Sequence, residues 1–164
     1  MPANVQTATF SGGCFWGVEE LIRKVPGVLE TEVGYTGGQL DDPHYEDTHD
    51  SASGHAEAVQ VKFDPDKVSY EHLIELFFRL HDPTTLNRQG NDRGTQYRSA
   101  IFYHTEEQRV TAEKVKDAVN KSGKWKNPIV TEIVPAAKWW PAEGYHQDYL
   151  QKNPRGYTCH YWRD

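Results

Sequence analysis

Cys14 is the residue of this sequence best placed for chemistry. It follows Ser11-Gly12-Gly13 and opens a predicted helix. Glycines permit a tight turn from strand to helix and a close approach of a ligand to the backbone. The free N–H groups and the dipole at a helix start lower the pKa of a thiol there. A buried structural cysteine is the alternative. Phe15 and Trp16, which follow directly and are suited to wall an apolar pocket, bring the reactive thiol level with that alternative.

Glu57 is the second informative residue, because it lies on the apolar face of a predicted strand. Alternation with a period of two places it on one face with Val59, Val61 and Phe63. Partial desolvation raises the pKa of such a carboxyl and keeps it protonated near neutral pH. It can then donate a proton to a developing oxyanion. The alternative is a glutamate that reaches solvent past the edge of the sheet.

Three further polar residues are candidates with weaker support. Tyr45 and Tyr97 each carry a phenol that can face a polar substrate atom, and Asp92 can position a backbone or substrate amide. Each also has an ordinary structural explanation, either a packed tyrosine or an aspartate that caps a turn.

Cys159 lies in a turn-rich stretch near the end of the chain, 145 residues after Cys14, so the pair matches no CxxC spacing. Such a cysteine can meet an oxidised partner and form a disulfide through a sulfenic acid. The alternative is a surface thiol with no role. Histidines and carboxylates also cluster at residues 44–50, but they meet no known ligand spacing, and we expect no metal.

Composition restricts the class of protein. The chain has 164 residues, enough for about one domain, and its 20 aromatic residues (5 Trp, 9 Tyr and 6 Phe) favour a folded one. A net charge of −6 without a basic run argues against nucleic-acid binding. No apolar stretch approaches 18 residues, so no membrane span is expected.

The same features indicate a compartment and an oligomeric state. Residues 1–10 lack the basic and apolar regions of a secretion signal. Two cysteines without export indicate a reducing compartment. We therefore expect a cytoplasmic protein, and the acidic surface and small size favour a monomer.

Helices and strands alternate along the chain and must position these residues. Helices are predicted from about Cys14 to Val25, from near Ser69 with the stripe Leu73, Leu76, Phe77 and Leu80, and from the capping box Thr105-Glu106-Glu107-Gln108 to Ser122-Gly123. Strands are predicted at 7–10, 29–35, 56–63, 97–104 and 129–134. The first six elements follow the split βαβ pattern, which predicts an α+β two-layer sandwich with a ferredoxin-like, mixed-sheet core.

Two segments depart from this alternation. Residues 36–55 are rich in Asp, His, Gly and Ser and are expected to form a long functional loop. After Pro135 the pattern gives way to an irregular, aromatic tail at about 136–164. No linker or repeat divides the chain, so we expect a single domain over 1–164.

Five blocks in the same order resemble the A-type peptide methionine sulfoxide reductases. They are Gly13-Cys14-Phe15-Trp16-Gly17, Gly34-Tyr35-Thr36-Gly37-Gly38, Gly54-His55-Ala56-Glu57-Ala58-Val59, the stretch from Gln89-Gly90-Asn91-Asp92 to Ser99, and Ala142-Glu143-Gly144-Tyr145-His146-Gln147-Asp148-Tyr149-Leu150. The resemblance extends from about Thr9 to Tyr157. Five ordered blocks make it very specific.

The resemblance implies a role for each candidate. Cys14 matches the nucleophile that attacks the sulfoxide sulfur, and Glu57 matches the acid that protonates the sulfoxide oxygen. The other matches are phenols that hydrogen-bond this oxygen (Tyr45 and Tyr97), walls around the substrate methyl group (Phe15 and Trp16) and a residue that shapes the site (Asp92).

The implied reaction is the thiol-dependent reduction of methionine S-sulfoxide, free or in proteins, which repairs oxidative damage without a cofactor. Cys14 would become a sulfenic acid, and Cys159 would form a disulfide that thioredoxin reduces. Many family members have two cysteines in the tail, whereas this chain has only Cys159 there. We therefore expect a single Cys14–Cys159 disulfide that thioredoxin attacks directly.

Two other functions are compatible with an activated cysteine. A thiol peroxidase also forms a sulfenic acid, but it has no evident use for the Phe15-Trp16 wall. A protein- or metal-binding module with an incidental thiol would retain metal after dialysis or resist mild alkylation.

Overall fold

In the part of the chain that the structure describes, six strands form one mixed sheet and three helices cover one face of it. The computed structural model describes residues 5–13, 15–37, 55–85, 87–89, 92–93, 97–125, 127–136, 138–142, 144 and 147, with the backbone alone at Arg88, Asp92 and Arg93. The elements in chain order are β1 (Gln6–Gly12), α1 (Phe15–Ile22), β2 (Val28–Thr36), β3 (Ala56–Phe63), α2 (Tyr70–Leu80), β4 (Arg88–Gln89), β5 (Asp92–Arg93), β6 (Ser99–Tyr103), α3 (Glu106–Lys121), β7 (Glu132–Pro135) and β8 (Trp140–Pro141).

The order of the strands confirms the predicted ferredoxin-like core. The large sheet runs β7-β6-β1-β3-β2-β8, so β3 lies between β1 and β2 and is antiparallel to both. On the other side of β1, β6 pairs antiparallel to it. The crossover through α3 adds β7 parallel to β6. The small β4–β5 hairpin forms a sheet of its own.

Capping residues begin α2 and α3 where the sequence predicts. The Ser69 side chain accepts a hydrogen bond from the backbone N–H of His72 at 3.0 Å, and Thr105 accepts one from Gln108 at 3.1 Å. The Gln108 side chain also donates to the carbonyl of Thr7 at 2.8 Å, which ties the start of α3 to β1. The predicted stripe of α2 is buried in the main core.

Several element boundaries differ from the prediction, among them that of β7, which begins at Glu132 rather than at residue 129. α1 ends at Ile22 rather than Val25, because turns lead from there to Gly27, whose φ of 98° does not belong to a helix. β6 begins at Ser99 rather than Tyr97. The tail, predicted to be irregular, contributes the two-residue strand β8, which pairs with Gly34 and Tyr35 of β2.

The side chain of Gln147 continues this pairing along the edge of β2. Its Oε1 accepts a hydrogen bond from the N–H of Val33 at 2.8 Å, and its Nε2 donates to the carbonyl of Val33 at 2.9 Å. The N–H of Ala142 donates to the same carbonyl at 2.9 Å. One amide group thus takes the place of a strand residue.

Two rows of residues run across the strands on the face covered by the helices, one pleat apart. The inner row consists of Ile133, Ile101, Phe10, Val59 and Val33, which stand level in the strand registers. The terminal row consists of Thr131, Ser99, Gly12, Glu57, Tyr35 and Trp140. Ser99–Gly12, Glu57–Tyr35 and Tyr35–Trp140 are paired in register. Extending the β1–β3 register by one pleat brings Gly12 level with Glu57.

Candidate active site

The turn between β1 and α1 presents the candidate nucleophile. β1 ends at Gly12 and α1 begins at Phe15, so only Gly13 and Cys14 connect them. Gly13 has a φ of 99°, a conformation that residues with a side chain rarely adopt. The backbone conformation therefore requires a glycine directly before Cys14, as expected for a tight turn from strand to helix. Cys14 itself lies outside the described residues.

Glu57 lies next to this turn and is completely buried, on the same face as Val59, Val61 and Phe63, as alternation predicts. The backbone N–H of Phe15 donates a hydrogen bond to its Oε1 at 3.3 Å. Because the nitrogen of Phe15 is bonded to the carbonyl carbon of Cys14, the carboxyl is held within one peptide unit of that residue. The alternative of a glutamate that reaches solvent past the sheet edge is wrong.

Aromatic residues neighbour Glu57 in the sheet and at the start of α1. Tyr35 stands opposite Glu57 in the register and is fully buried, and its ring centroid lies 5.8 Å from that of Phe15. Phe15 is itself fully buried, and Trp16 packs partly buried against the same core. Phe15 and Trp16 are both predicted to wall the site. Phe15 thus lies inside the core, and Trp16 lies at its rim.

The remaining predicted site residues are described only in part. Tyr97 is buried, with 7% of its surface exposed, two residues before β6. Asp92 is the first residue of β5, and its side chain lies outside the description. Tyr45 and Cys159 also lie outside the described residues. Their roles stay predictions.

Arg98 follows Tyr97 and belongs to the opposite face of the sheet. Its Nε lies 3.5 Å from a carboxylate oxygen of Glu132, and the hydroxyl of Ser11 donates to its carbonyl at 2.7 Å. Burial lowers the pKa of its guanidinium, and the charge of Glu132 opposes that shift. These two contacts connect the residue before β6 to β7 and to β1.

Sequence reasoning missed a buried polar cluster at the end of β1. His81, Ser99 and Thr131 are each at most 3% exposed and are joined by hydrogen bonds of 2.8 Å and 2.7 Å. A signal was available, since Ser99 shares the inward phase of β6 with Ile101 and Thr131 precedes Ile133 in the same phase.

Neither a metal centre nor a membrane span is found in the described part of the chain. No three of its histidines, cysteines, aspartates and glutamates lie together as ligands would, and residues 44–50 fall outside this part. Within the described ranges, no helix has the length and apolar character needed to cross a membrane.

Comparison with known proteins decides among the possible thiol enzymes. The family model for peptide methionine sulfoxide reductase matches residues 6–164. The chain belongs to the peptide methionine sulfoxide reductase family. The reductase MsrA of Nocardia farcinica is 53% identical over 160 residues, which cover 98% of this chain and 92% of that protein.

Solved structures show the same fold, among them methionine sulfoxide reductase A of Corynebacterium diphtheriae, with a TM-score of 0.80 and 37% identity over 96% of this chain and 79% of that one. Reduced Mxr1 from Saccharomyces cerevisiae matches with a TM-score of 0.93 and 38% identity, over 100% of this chain and 95% of that one. Mxr1 in complex with Trx2 matches with a TM-score of 0.68 and 29% identity, over 100% and 94% of the two chains. The α+β fold of a methionine sulfoxide reductase is thus shown for this chain.

Proposed function

We propose that the protein reduces methionine S-sulfoxide, free or in proteins, to methionine through Cys14. The thiolate of Cys14 attacks the sulfoxide sulfur while Glu57 protonates the sulfoxide oxygen. The attack forms a bond between the two sulfurs; the hydroxyl then transfers to the sulfur of Cys14 as this bond and the sulfur–oxygen bond of the substrate break, which releases methionine and leaves Cys14 as a sulfenic acid. The substrate sulfur is reduced by two electrons and the cysteine sulfur is oxidised by two.

The hydrogen bond from the Phe15 N–H to Glu57 carries this proposal. It holds a fully buried carboxyl beside the residue that would attack. Burial among apolar groups favours the neutral form of a carboxyl, which is the form that a proton donor needs. The positive end of the α1 dipole favours a thiolate at the same place.

Aromatic side chains supply the rest of the site in this proposal. Phe15 and Trp16 hold the methyl group of the substrate, and the phenols of Tyr45 and Tyr97 donate to the sulfoxide oxygen. Asp92 shapes the site from the β4–β5 hairpin. The position of Trp16 at the rim of the core supports its role.

Recycling requires the second cysteine. The thiol of Cys159 attacks the sulfenic acid of Cys14, which forms a disulfide and releases water. A thioredoxin then reduces this disulfide and is itself oxidised. The likeness to yeast Mxr1 in its complex with Trx2 supports this partner.

The test is product analysis with the separate S and R epimers of N-acetyl-methionine sulfoxide. With dithiothreitol as reductant, we expect methionine only from the S epimer, and none from the Cys14→Ser variant. With thioredoxin, Cys159→Ser is expected to stop after one turnover. Reduction of hydrogen peroxide but of neither epimer would replace the proposal with a thiol peroxidase.

We further propose a single-domain, cytoplasmic monomer. One sheet joins β1 to β8, and the family model spans nearly the whole chain, which supports a single domain. A reducing compartment is where the Cys14–Cys159 pair would cycle. Light scattering in solution tests the monomer, and fractionation of cells tests the compartment.

A further inference from the structure

A chain of buried hydrogen bonds lies on one side of Gly12 in the terminal row. Nδ1 of His81 is 2.8 Å from the carbonyl oxygen of Phe77, and Nε2 is 2.8 Å from the hydroxyl of Ser99. The Ser99 hydroxyl is in turn 2.7 Å from that of Thr131. His81 and Thr131 are fully buried, and Ser99 is 3% exposed.

The partners fix the direction of these bonds when the imidazole is neutral. A carbonyl oxygen only accepts, so Nδ1 carries the proton and donates to Phe77. Nε2 then accepts from Ser99, which leaves the Ser99 oxygen to accept from Thr131. Each hydroxyl in the chain has one orientation, so the ring is held in one position by both of its nitrogens.

This ring forms the floor beneath the end of β1. A Cβ atom built on Gly12 would lie 3.2 Å from two carbons of the His81 ring and 3.1 Å from the Phe77 ring. The Phe77 and His81 rings are themselves in contact, with centroids 4.3 Å apart. Gly12 is also paired with Ser99 in the sheet. The backbone of Gly12 thus rests on the same groups that the hydrogen bonds hold.

We propose that His81, held by Ser99 and Thr131, is a positioning residue that fixes the backbone of the Gly12-Gly13 turn and thereby controls the reactivity of Cys14, the next residue in the sequence. This inference rests on the proposed role of Cys14 as nucleophile. Glu57 stands on the other side of Gly12 in the terminal row. The His81–Ser99–Thr131 chain of hydrogen bonds, here called the relay, and the carboxyl of Glu57 therefore lie on opposite sides of Gly12.

The reason for a histidine is geometric. An apolar side chain of similar size would fill the space but remove the hydrogen bond to the Phe77 carbonyl and one of the two that the Ser99 hydroxyl makes. Without these two hydrogen bonds, the replacement side chain could shift, and the Gly12-Gly13 turn that packs on it could shift as well. Glutamine, whose planar amide carries a donor NH₂ group and an acceptor oxygen, is the closest replacement.

The test compares His81→Leu with His81→Gln in a Cys159→Ser background, where Cys14 is the one cysteine left. The readout is the rate of Cys14 alkylation by iodoacetamide as a function of pH. Loss of a hydrogen-bonded position is worth about tenfold in rate. We expect roughly tenfold slower alkylation and a higher pH midpoint in His81→Leu, with recovery to within about threefold in His81→Gln. Ser99→Ala should fall between them.

Gln108→Leu is the matched control, because it removes a buried hydrogen-bonding side chain from the other end of β1. It should lower the melting temperature and leave the pH profile of Cys14 unchanged. A second readout is the ¹⁵N spectrum of His81, in which we expect the neutral Nδ1–H tautomer and a shift when Cys14 is alkylated.

An unchanged alkylation profile in folded His81→Leu would overturn the proposal, as would the same shift in Gln108→Leu. If His81→Leu does not fold, Ser99→Ala and the ¹⁵N spectrum decide, and a spectrum insensitive to Cys14 would count against the relay. Alkylation needs no turnover, so this result is independent of whether the protein reduces sulfoxide.

Discussion

The inner and terminal rows lie one pleat apart on the same strands and the same face, yet they differ in chemistry. The inner row is apolar throughout, and its members Val33, Val59, Phe10 and Ile101 are fully buried. The terminal row, equally enclosed at Glu57, Tyr35 and Thr131, carries a carboxyl, a phenol and hydroxyls. The inner row contributes apolar side chains to the core, and the terminal row contributes the polar side chains of the site. The polar row is the one that includes Gly12, the last residue of β1 before the turn to α1.

The largest expected effect is a loss of turnover when a residue of the terminal row, Glu57, is replaced. Glu57→Gln keeps the shape of the side chain but cannot donate an acid proton, so turnover should fall roughly 10²–10⁴-fold. Its melting temperature should stay close to that of the parent. Steady-state reduction of the S epimer measures the first and calorimetry the second. Normal turnover in Glu57→Gln would remove the general-acid role.

The inner row should respond in the opposite way. Ile101→Ala deletes a fully buried side chain and leaves a cavity, which costs about 2–5 kcal/mol of unfolding free energy. Turnover per folded molecule should change little, because Ile101 contacts the core rather than the substrate. Denaturant titration together with turnover in its folded baseline checks this. A loss of turnover as large as that of Glu57→Gln would mean that the two rows are not separable.

A substitution at Gly13 tests the turn that follows Gly12, the member of the terminal row on β1. Gly13→Ala places a side chain at a φ of 99° and should cost about 1–3 kcal/mol. It should also slow the alkylation of Cys14. Gly123→Ala is the matched control, because Gly123 has a φ of 79° in a turn with open space around it. Equal slowing in both variants would show that the strain acts through general loosening.

The smallest effect concerns a hydroxyl beside the inner row. Tyr70 packs its ring near Phe10 and Phe63, and its buried phenol has no hydrogen-bond partner among the described residues. Tyr70→Phe should therefore be neutral or stabilising, by up to about 1 kcal/mol at pH 7. Ser99→Ala, which removes a partnered hydroxyl, should cost roughly 1–3 kcal/mol.

The same tyrosine gives a pH dependence. Burial raises the pKa of Tyr70 above its ordinary value of 10.0. Above this pH the unfolded chain loses the phenolic proton while the folded chain keeps it, so stability falls as pH rises. Tyr70→Phe should lack that part of the loss. Denaturant midpoints from pH 8 to pH 11 measure it, and parallel curves for the two proteins would contradict the shift.

Much of this arrangement is predictable from the sequence, and the exceptions have physical causes. Alternation placed Glu57 on the inward face, and glycine chemistry placed the turn at Gly13. The relay was missed because His81 follows a helix, and its partners Ser99 and Thr131 are distant in sequence and meet only through the β6–β7 register. β8 was missed because two residues, Trp140 and Pro141, carry no detectable period.

The amide of Gln147 has a consequence beyond the tail it holds. β2 lies near the margin of the sheet, where an open backbone edge would accept a strand from another molecule. At Val33 both backbone groups are already bonded, to the Gln147 side chain and the N–H of Ala142. One side chain thus protects the molecule against edge-to-edge aggregation, at a point two residues from the tyrosine that faces Glu57.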